Sequence, residues 1–167
     1  ASGKLITASK RPPRVMSGAG EQPIDFGEVG DVVSINVELL NNLTEHDLVP
    51  VIATLGVEQD SGRVFNINAD TTVVQIARAL KADLLLLTTA VGAIYHDLDK
   101  PETRVAQINA QQAKDLIKQG VIQGGMIPKV EEAISVLEEG VKSIAIVGPQ
   151  IKGAFLDVAK GEGSKGT

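Results

Sequence analysis

VFNINADTTVVQIARALKADLLLLT, residues 64–88, decides the fold class of this chain. It opens on a short β-branched and aromatic stretch, residues 64–67, and turns at Asn68-Ala69-Asp70. Apolar residues then recur at Val73, Val74, Ile76, Ala77 and Leu80, the spacing of one helix face. Leu84 to Leu87 follow as an unbroken apolar run closed by Thr88, which reads as a strand covered on both faces. Strand, helix and strand in that order predict an α/β chain with a parallel or mostly parallel sheet covered on both sides.

The same alternation extends outward from this stretch. A strand is expected at residues 5–8. KRPPRVMSGAGEQ, residues 10–22, has no apolar period and reads as an exposed loop. Asn36 is the candidate N-cap of a helix carrying Glu38 in its first turn and a stripe of Val37, Leu39, Leu40 and Leu43. Residues 49–54 are expected as a strand. Asn109 caps a helix to about Gln119 that stops at Gly120, and residues 126–139 form another closed by Gly140. A strand at 143–147 and a short helix at 154–159 complete the series. No repeat is present, and 167 residues are expected as one domain.

Composition narrows the chemistry. The only aromatics are Phe26, Phe65, Phe155 and Tyr95, too few for a base-stacking nucleic-acid platform. A formal charge of -5 argues against a duplex-binding surface and a polybasic membrane anchor. No cysteine means no thiolate nucleophile or ligand, and His46 and His96, far apart, read as surface residues; no resident metal site is expected. The longest apolar run is far too short to cross a bilayer, and Ala1-Ser2-Gly3-Lys4 carries no signal pattern. A cytoplasmic location is expected, favoured over a eukaryotic organelle. The chain starts without Met, as a processed chain or a fragment would.

In open α/β sheets ligands bind off the carboxyl ends of strands, so the strand-to-helix turns are where chemistry is expected. In Asn66-Ile67-Asn68-Ala69-Asp70, Asn66 and Asn68 lie two apart on an extended segment and share a side. Capping by Asn68 and dipole complementation by Asp70 would explain this turn without a ligand. In Gly124-Gly125-Met126-Ile127-Pro128-Lys129, two glycines allow close backbone approach and the first-turn amides attract an anion. Lys129 sits where the helix dipole disfavours a cation. An anionic ligand between the amides and the ammonium would reverse that penalty, and a salt bridge to Glu131, Glu132 or Asp70 would do the same. Thr88 to Tyr95 offers hydroxyls and Gly92 for a ribose or phosphate, in letters that also make an ordinary loop.

With these turns in place the chain resembles the C-terminal half of the acetylglutamate kinases, within the amino acid kinase family. The resemblance rests on Asp25-Phe-Gly-Glu-Val-Gly-Asp31, Val49-Pro-Val-Ile-Ala53, Asn66-Ile-Asn-Ala-Asp70, Gly124-Gly-Met-Ile-Pro-Lys-Val130 and the closing Gly-Thr. It implies a three-layer α/β/α sandwich with a mostly parallel sheet, and transfer of the γ-phosphoryl of ATP, with Mg2+ carried by the nucleotide, to the side-chain carboxylate of N-acetyl-L-glutamate in arginine biosynthesis. Residue by residue, it implies that Asn66 binds substrate, Asp70 orients catalytic lysines and Lys129 stabilises the transferring phosphoryl group. The stretch Thr89, Ala90, Val91, Gly92, Ala93 and Ile94 matches a nucleotide-holding segment, as do Val121, Ile122, Gln123 and Gly125. Thr89 stands where the family usually has aspartate.

The family's N-terminal half supplies a lysine after the first strand, a glycine-rich phosphate loop and an arginine for the substrate carboxylate, none of which matches here. The resemblance therefore implies an incomplete active site, inactive alone, that pairs with a missing N-terminal half or works in a homo-oligomer. Positions matching the family's arginine-sensing residues hold Lys152 and Asp157, which gives arginine sensing no support. Two other readings stand beside the kinase. One is a non-catalytic regulatory domain of the type fused to acetylglutamate synthases, for which Thr89 leaves room; the other is a carbamate kinase, towards which Asp99-Lys100-Pro101-Glu102 leans and against which the Asn66 motif argues.

Overall fold

A computed structural model describes residues 4–15, 22–149 and 152–161. The chain divides into two compact units, Ala1–Ala79 and Leu80–Thr167. In the first, β1 (Ile6–Lys10), β2 (Gly30–Ile35), β3 (Leu55–Val57) and β4 (Val64–Asn66) form one sheet in the order β2-β1-β3-β4. Its pairing is mixed: β1 is antiparallel to β2 and parallel to β3, and β3 is antiparallel to β4. Helices α1 (Val37–Glu45) and α2 (Ala69–Leu80) belong to this half of the sequence. The core is Ile6, Ala8, Phe65 and Ile67, with Leu5, Val32, Ile35 and Ile52 packed against it. Small residues let the strands close on this core. A Cβ on Gly30 would lie 2.6 Å from Phe65 Cβ, and one on Gly56 would lie 2.5 Å from Ala8 Cβ.

In the second unit β5 (Leu84–Thr88) and β8 (Ser143–Val147) pair in parallel, Leu84 opposite Ser143 and Thr88 opposite Val147. Helix α5 (Ala154–Ala159) covers one face through Ala145, Val147 and Ala154, while Leu85, Leu87 and Ile146 are buried as well. Between the two strands the chain forms the small antiparallel pair β6 (Ile94–Tyr95) and β7 (Arg104–Val105), then α3 (Ala110–Lys118) and α4 (Met126–Glu138). This is the expected α/β class, and its helix boundaries follow the expected signals. Asn36 Oδ1 accepts from the Leu39 amide at 2.9 Å. Asn109 and Gln112 form a reciprocal capping box at the start of α3, and Gly140, at φ +107°, follows the end of α4.

Three features differ from the sequence expectation. Residues 49–54 form no strand ladder: the chain there leaves Val49 87% and Val51 97% exposed, and pairing begins only at Leu55. Strand β2 and the β6/β7 pair have no counterpart in the expected series, both following glycine- or threonine-rich turns without clean alternation. Of the loop expected at 10–22, residues 16–21 lie outside the described residues; before them Lys10 ends β1 and Arg14 bridges to Ile24. Among the described residues no helix is long and apolar enough to cross a membrane.

Candidate functional site

In the first unit the expected site residues sit at the carboxyl end of β4. Phe65 and Ile67 point into the core, so Asn66 between them is exposed. Asn68 is consumed locally: its Oδ1 accepts from the Thr71 amide at 3.1 Å, and its carbonyl accepts from the Thr72 amide and hydroxyl, each at 2.9 Å. It is the cap of α2, and Asp70, half-buried, lies in the first turn. Among the described residues the Asn66 carboxamide makes no hydrogen bond, so of the two asparagines only Asn66 has its polar head available.

The backbone of Asn66 is held by a stretch whose role was visible in the sequence only as a motif. Its amide donates to the Glu28 carbonyl at 2.8 Å, and Val29 bridges to it. Glu28 is itself paired with Arg63 at 2.5 Å, whose guanidinium lies 5.6 Å above the Phe65 ring. At either end of Asp25-Phe-Gly-Glu-Val-Gly-Asp31 a carboxylate ties the segment to β1 and the residue after it. Asp25 accepts from Lys10 and from the Gly27 amide, both at 2.8 Å, and Asp31 accepts from Arg11 Nε and Nη2 at 2.8 and 2.6 Å. The Lys10 hydrogen bond, with that of Gly27, holds the Asp25 carboxyl below its ordinary value.

In the second unit two turns lie at one end of the sheet. The strands β5 and β8 are parallel and α4 runs back to the start of β8, so its N-terminus lies at the end where both strands finish. Off β5, the Thr89 amide donates to the Val147 carbonyl and the Gly92 amide to the Thr89 carbonyl, both at 3.1 Å, with Gly92 at φ +86°. Ala90 and Val91 are exposed at the tip; Gly92, Ala93 and Ile94 are buried, so the side chains of Ala93 and Ile94 serve packing.

The segment before α4 is similarly anchored. The amides of Val121 and Ile122 both donate to the Leu116 carbonyl, Ile122 is 2% exposed, and the Gln123 carboxamide folds back onto the Gly120 carbonyl. The free first-turn amides expected on α4 are fewer than the sequence suggested. Those of Met126 and Ile127 close onto the carbonyls of Gln123 and Gly124 at 3.2 Å, and Pro128 has none. The amides of Gly124 and Gly125 stay unbonded among the described residues. Gly124 needs its glycine for φ +54°, whereas Gly125, at φ -66°, faces open space: a Cβ added there would have no atom within 4 Å. Lys129 is half-buried one turn further on.

These residues fall in both units: Asn66 and Asp70 in the first, Thr89 to Ile94, Val121 to Gly125 and Lys129 in the second. A cavity of about 310 Å³ in the second unit is a different place. It is apolar, begins at Leu84 and Ser143 at the amino ends of the strands, and includes Ile94 alone of the expected nucleotide residues. Among the described residues no three His, Asp or Glu side chains gather to hold a metal.

Residues 3–148 match the amino acid kinase family. The chain is 44% identical over all 167 residues to the acetylglutamate kinase of Anaeromyxobacter dehalogenans (strain 2CP-C), of which it spans 62%. It is 41% identical over 93% of its length to that of Methanocaldococcus jannaschii, spanning 52%. Among solved structures, smu.665 from Streptococcus mutans UA159 is 30% identical with a TM-score of 0.66, covering 86% of this chain and 52% of that one. The N-acetylglutamate synthase of Neisseria gonorrhoeae complexed with coenzyme A and L-arginine shares the fold at 22% identity, TM-score 0.75, over 93% of this chain and 34% of that one. The match through nearly the whole described chain, on a fold shared with these structures, establishes that the chain belongs to the amino acid kinase family.

Proposed function

We propose that this chain is the nucleotide-binding and catalytic portion of a kinase that phosphorylates the side-chain carboxylate of N-acetyl-L-glutamate, its residues 1–167 working as one α/β domain. The observation that carries this reading is the 44% identity along every residue to a kinase of that name. In the reaction the bond between the γ-phosphorus and the β,γ-bridging oxygen breaks as a carboxylate oxygen bonds to the phosphorus, giving an acyl phosphate and ADP. Mg2+, carried by the nucleotide, neutralises phosphate charge. The protein's part is positioning and electrostatics rather than covalent chemistry. Asn66, with its carboxamide unengaged, orients the substrate; Asp70 orients the catalytic cations; Lys129 meets the charge that spreads over the phosphoryl oxygens. Thr89 to Ile94, Val121 to Gln123 and the amide of Gly125 hold the nucleotide. Because the chain spans only 62% of the Anaeromyxobacter kinase, turnover requires residues beyond it, and the chain alone is expected to bind nucleotide without sustained transfer.

Gly125 gives the direct test. Its backbone is helical and a methyl group there meets no protein atom, so Gly125→Ala should leave the thermal midpoint unchanged or raise it, by the equivalent of about 0.4–1 kcal/mol. If nucleotide phosphates occupy that open space, calorimetric titration with MgATP should show affinity falling about tenfold or more, roughly 1.4 kcal/mol. Equal MgATP affinity in both proteins, or none in the unsubstituted chain, counts against the nucleotide assignment. Thr89→Asp separates the regulatory reading: a carboxylate at the family's usual position should tighten MgATP by about tenfold through charge-assisted hydrogen bonds.

A further inference from the structure

Strand β4 is three residues long and ends the order β2-β1-β3-β4, so Asn66 is paired to Leu55 on one side while among the described residues no strand of the sheet follows on the other. Glu28 supplies two contacts on that open side. Its carbonyl accepts from the Asn66 amide at 2.8 Å, and its carboxylate accepts from Arg63 Nη2 at 2.5 Å. The two contacts are three residues apart along the chain, with the fully buried Phe65 between them. Arg63 and Phe65 share one face of the segment, the guanidinium lying 5.6 Å above the ring, whereas the Asn66 carboxamide leaves from the opposite face. The ion pair therefore grips the strand without covering the polar head of Asn66. Both partners come from fixed backbone. The Arg63 carbonyl accepts from the Glu58 amide at 2.8 Å and the Arg63 amide donates to Ser61 Oγ at 3.1 Å. The segment carrying Glu28 is tied down by Asp25 to Lys10 and by Asp31 to Arg11. Preset backbones leave less freedom to lose when the pair forms, which is the cost that cancels most exposed ion pairs. At 52% and 61% exposure Arg63 and Glu28 still add little to global stability. Their effect is local, on the direction of the strand end.

We infer that Glu28 and Arg63 are positioning residues: their ion pair fixes the open side of β4, and with it the direction in which Asn66 presents its carboxamide to the acylated amino acid. Direction matters because a carboxamide recognises its partner with one acceptor and two donors in a plane, and hydrogen bonds weaken steeply as they bend. Loosening the strand end thus costs substrate affinity and leaves the nucleotide and the transfer step alone. The substrate in this inference rests on the kinase reading; the hold on Asn66 does not.

The experiment uses Glu28→Gln, Arg63→Gln and the double variant, which remove the charges and keep every backbone hydrogen bond. In the chain alone, the Asn66 amide should exchange with solvent about 3- to 10-fold faster in each single variant than in the unsubstituted chain, with the β1 and β2 amides unchanged and the thermal midpoint lowered by no more than about 4 °C. In a complete kinase containing this chain, KM for N-acetyl-L-glutamate should rise about 3- to 5-fold, while KM for MgATP and kcat stay within about twofold. The double variant should be no worse than either single one, because the two charges act as one pair. A merely structural pair would lower the midpoint and leave both KM values where they were. Unchanged exchange at Asn66, an unchanged KM for N-acetyl-L-glutamate, equal rises in the two KM values, or single effects that add in the double variant overturns the inference. Faster exchange at Asn66 in a complete protein that phosphorylates no N-acetyl-L-glutamate, even unsubstituted, counts against the kinase reading and leaves the hold on Asn66 standing.

Discussion

Phe65→Ala should cost about 3–5 kcal/mol, the range for emptying a fully buried aromatic site. Phe65 is 0% exposed and the largest of the fully buried side chains. Its neighbours have little freedom to collapse into the gap. The Gly30 backbone approaches so closely that a Cβ there would lie 2.6 Å from Phe65 Cβ, and the strand on which Phe65 sits is pinned on both sides, to Gly56 and through Asn66 to Glu28. Against a typical total stability of about 5–15 kcal/mol, such a loss leaves the first unit marginal or unfolded. Phe65→Leu, which refills most of the volume, should cost less than about 1.5–2 kcal/mol. Urea titration monitored by far-ultraviolet circular dichroism measures both, and similar midpoints for the alanine variant and the unsubstituted chain would refute the account of this core.

The second large effect is catalytic. In a complete kinase containing this chain, Lys129→Ala should lower kcat on the order of 100-fold or more while changing KM for N-acetyl-L-glutamate little, because a charge aimed at the phosphoryl oxygens acts mainly in the transition state. Lys129→Arg should rescue poorly, since a planar fork does not reproduce a point charge. A structural ion-pair role would show the reverse pattern: kcat retained in both variants and the thermal midpoint lowered.

Helix limits were legible because their signals are local. Asn36 caps α1, Asn109 and Gln112 form the capping box of α3, and Gly140 ends α4, each within one turn of sequence. The parallel strands β5 and β8 were legible from apolar runs alone. The strand expected at 49–54 was read from the same kind of run, and it failed because a strand is defined by a partner, which propensity does not contain. Strand β2 escaped for the converse reason: Gly30-Asp31-Val32-Val33-Ser34-Ile35 lacks a regular alternation, and a bulge at Thr7/Ala8 shifts its register. At the candidate site, sequence placed Asn66 and Asn68 together on one side. Separating the capping asparagine from the one with an available carboxamide took the hydrogen bonds, as did finding that Glu28 holds the Asn66 backbone.

The pairing of β5 with β8 has a consequence for synthesis. Asp83 and Lys142, the residues immediately before the two strands, are 59 positions apart, and everything between must be made before the ladder can close. At about 5–20 residues per second, the Leu84 to Leu87 run waits roughly 3–12 s for its partner as the chain leaves the ribosome. The first unit has its β3/β4 hairpin almost at once, since Val57 and Val64 are joined by a short turn. That hairpin is local, whereas the Leu84 to Leu87 run stays unpaired until β8 is made, so the tetraleucine stretch is the natural client for a chaperone during the interval.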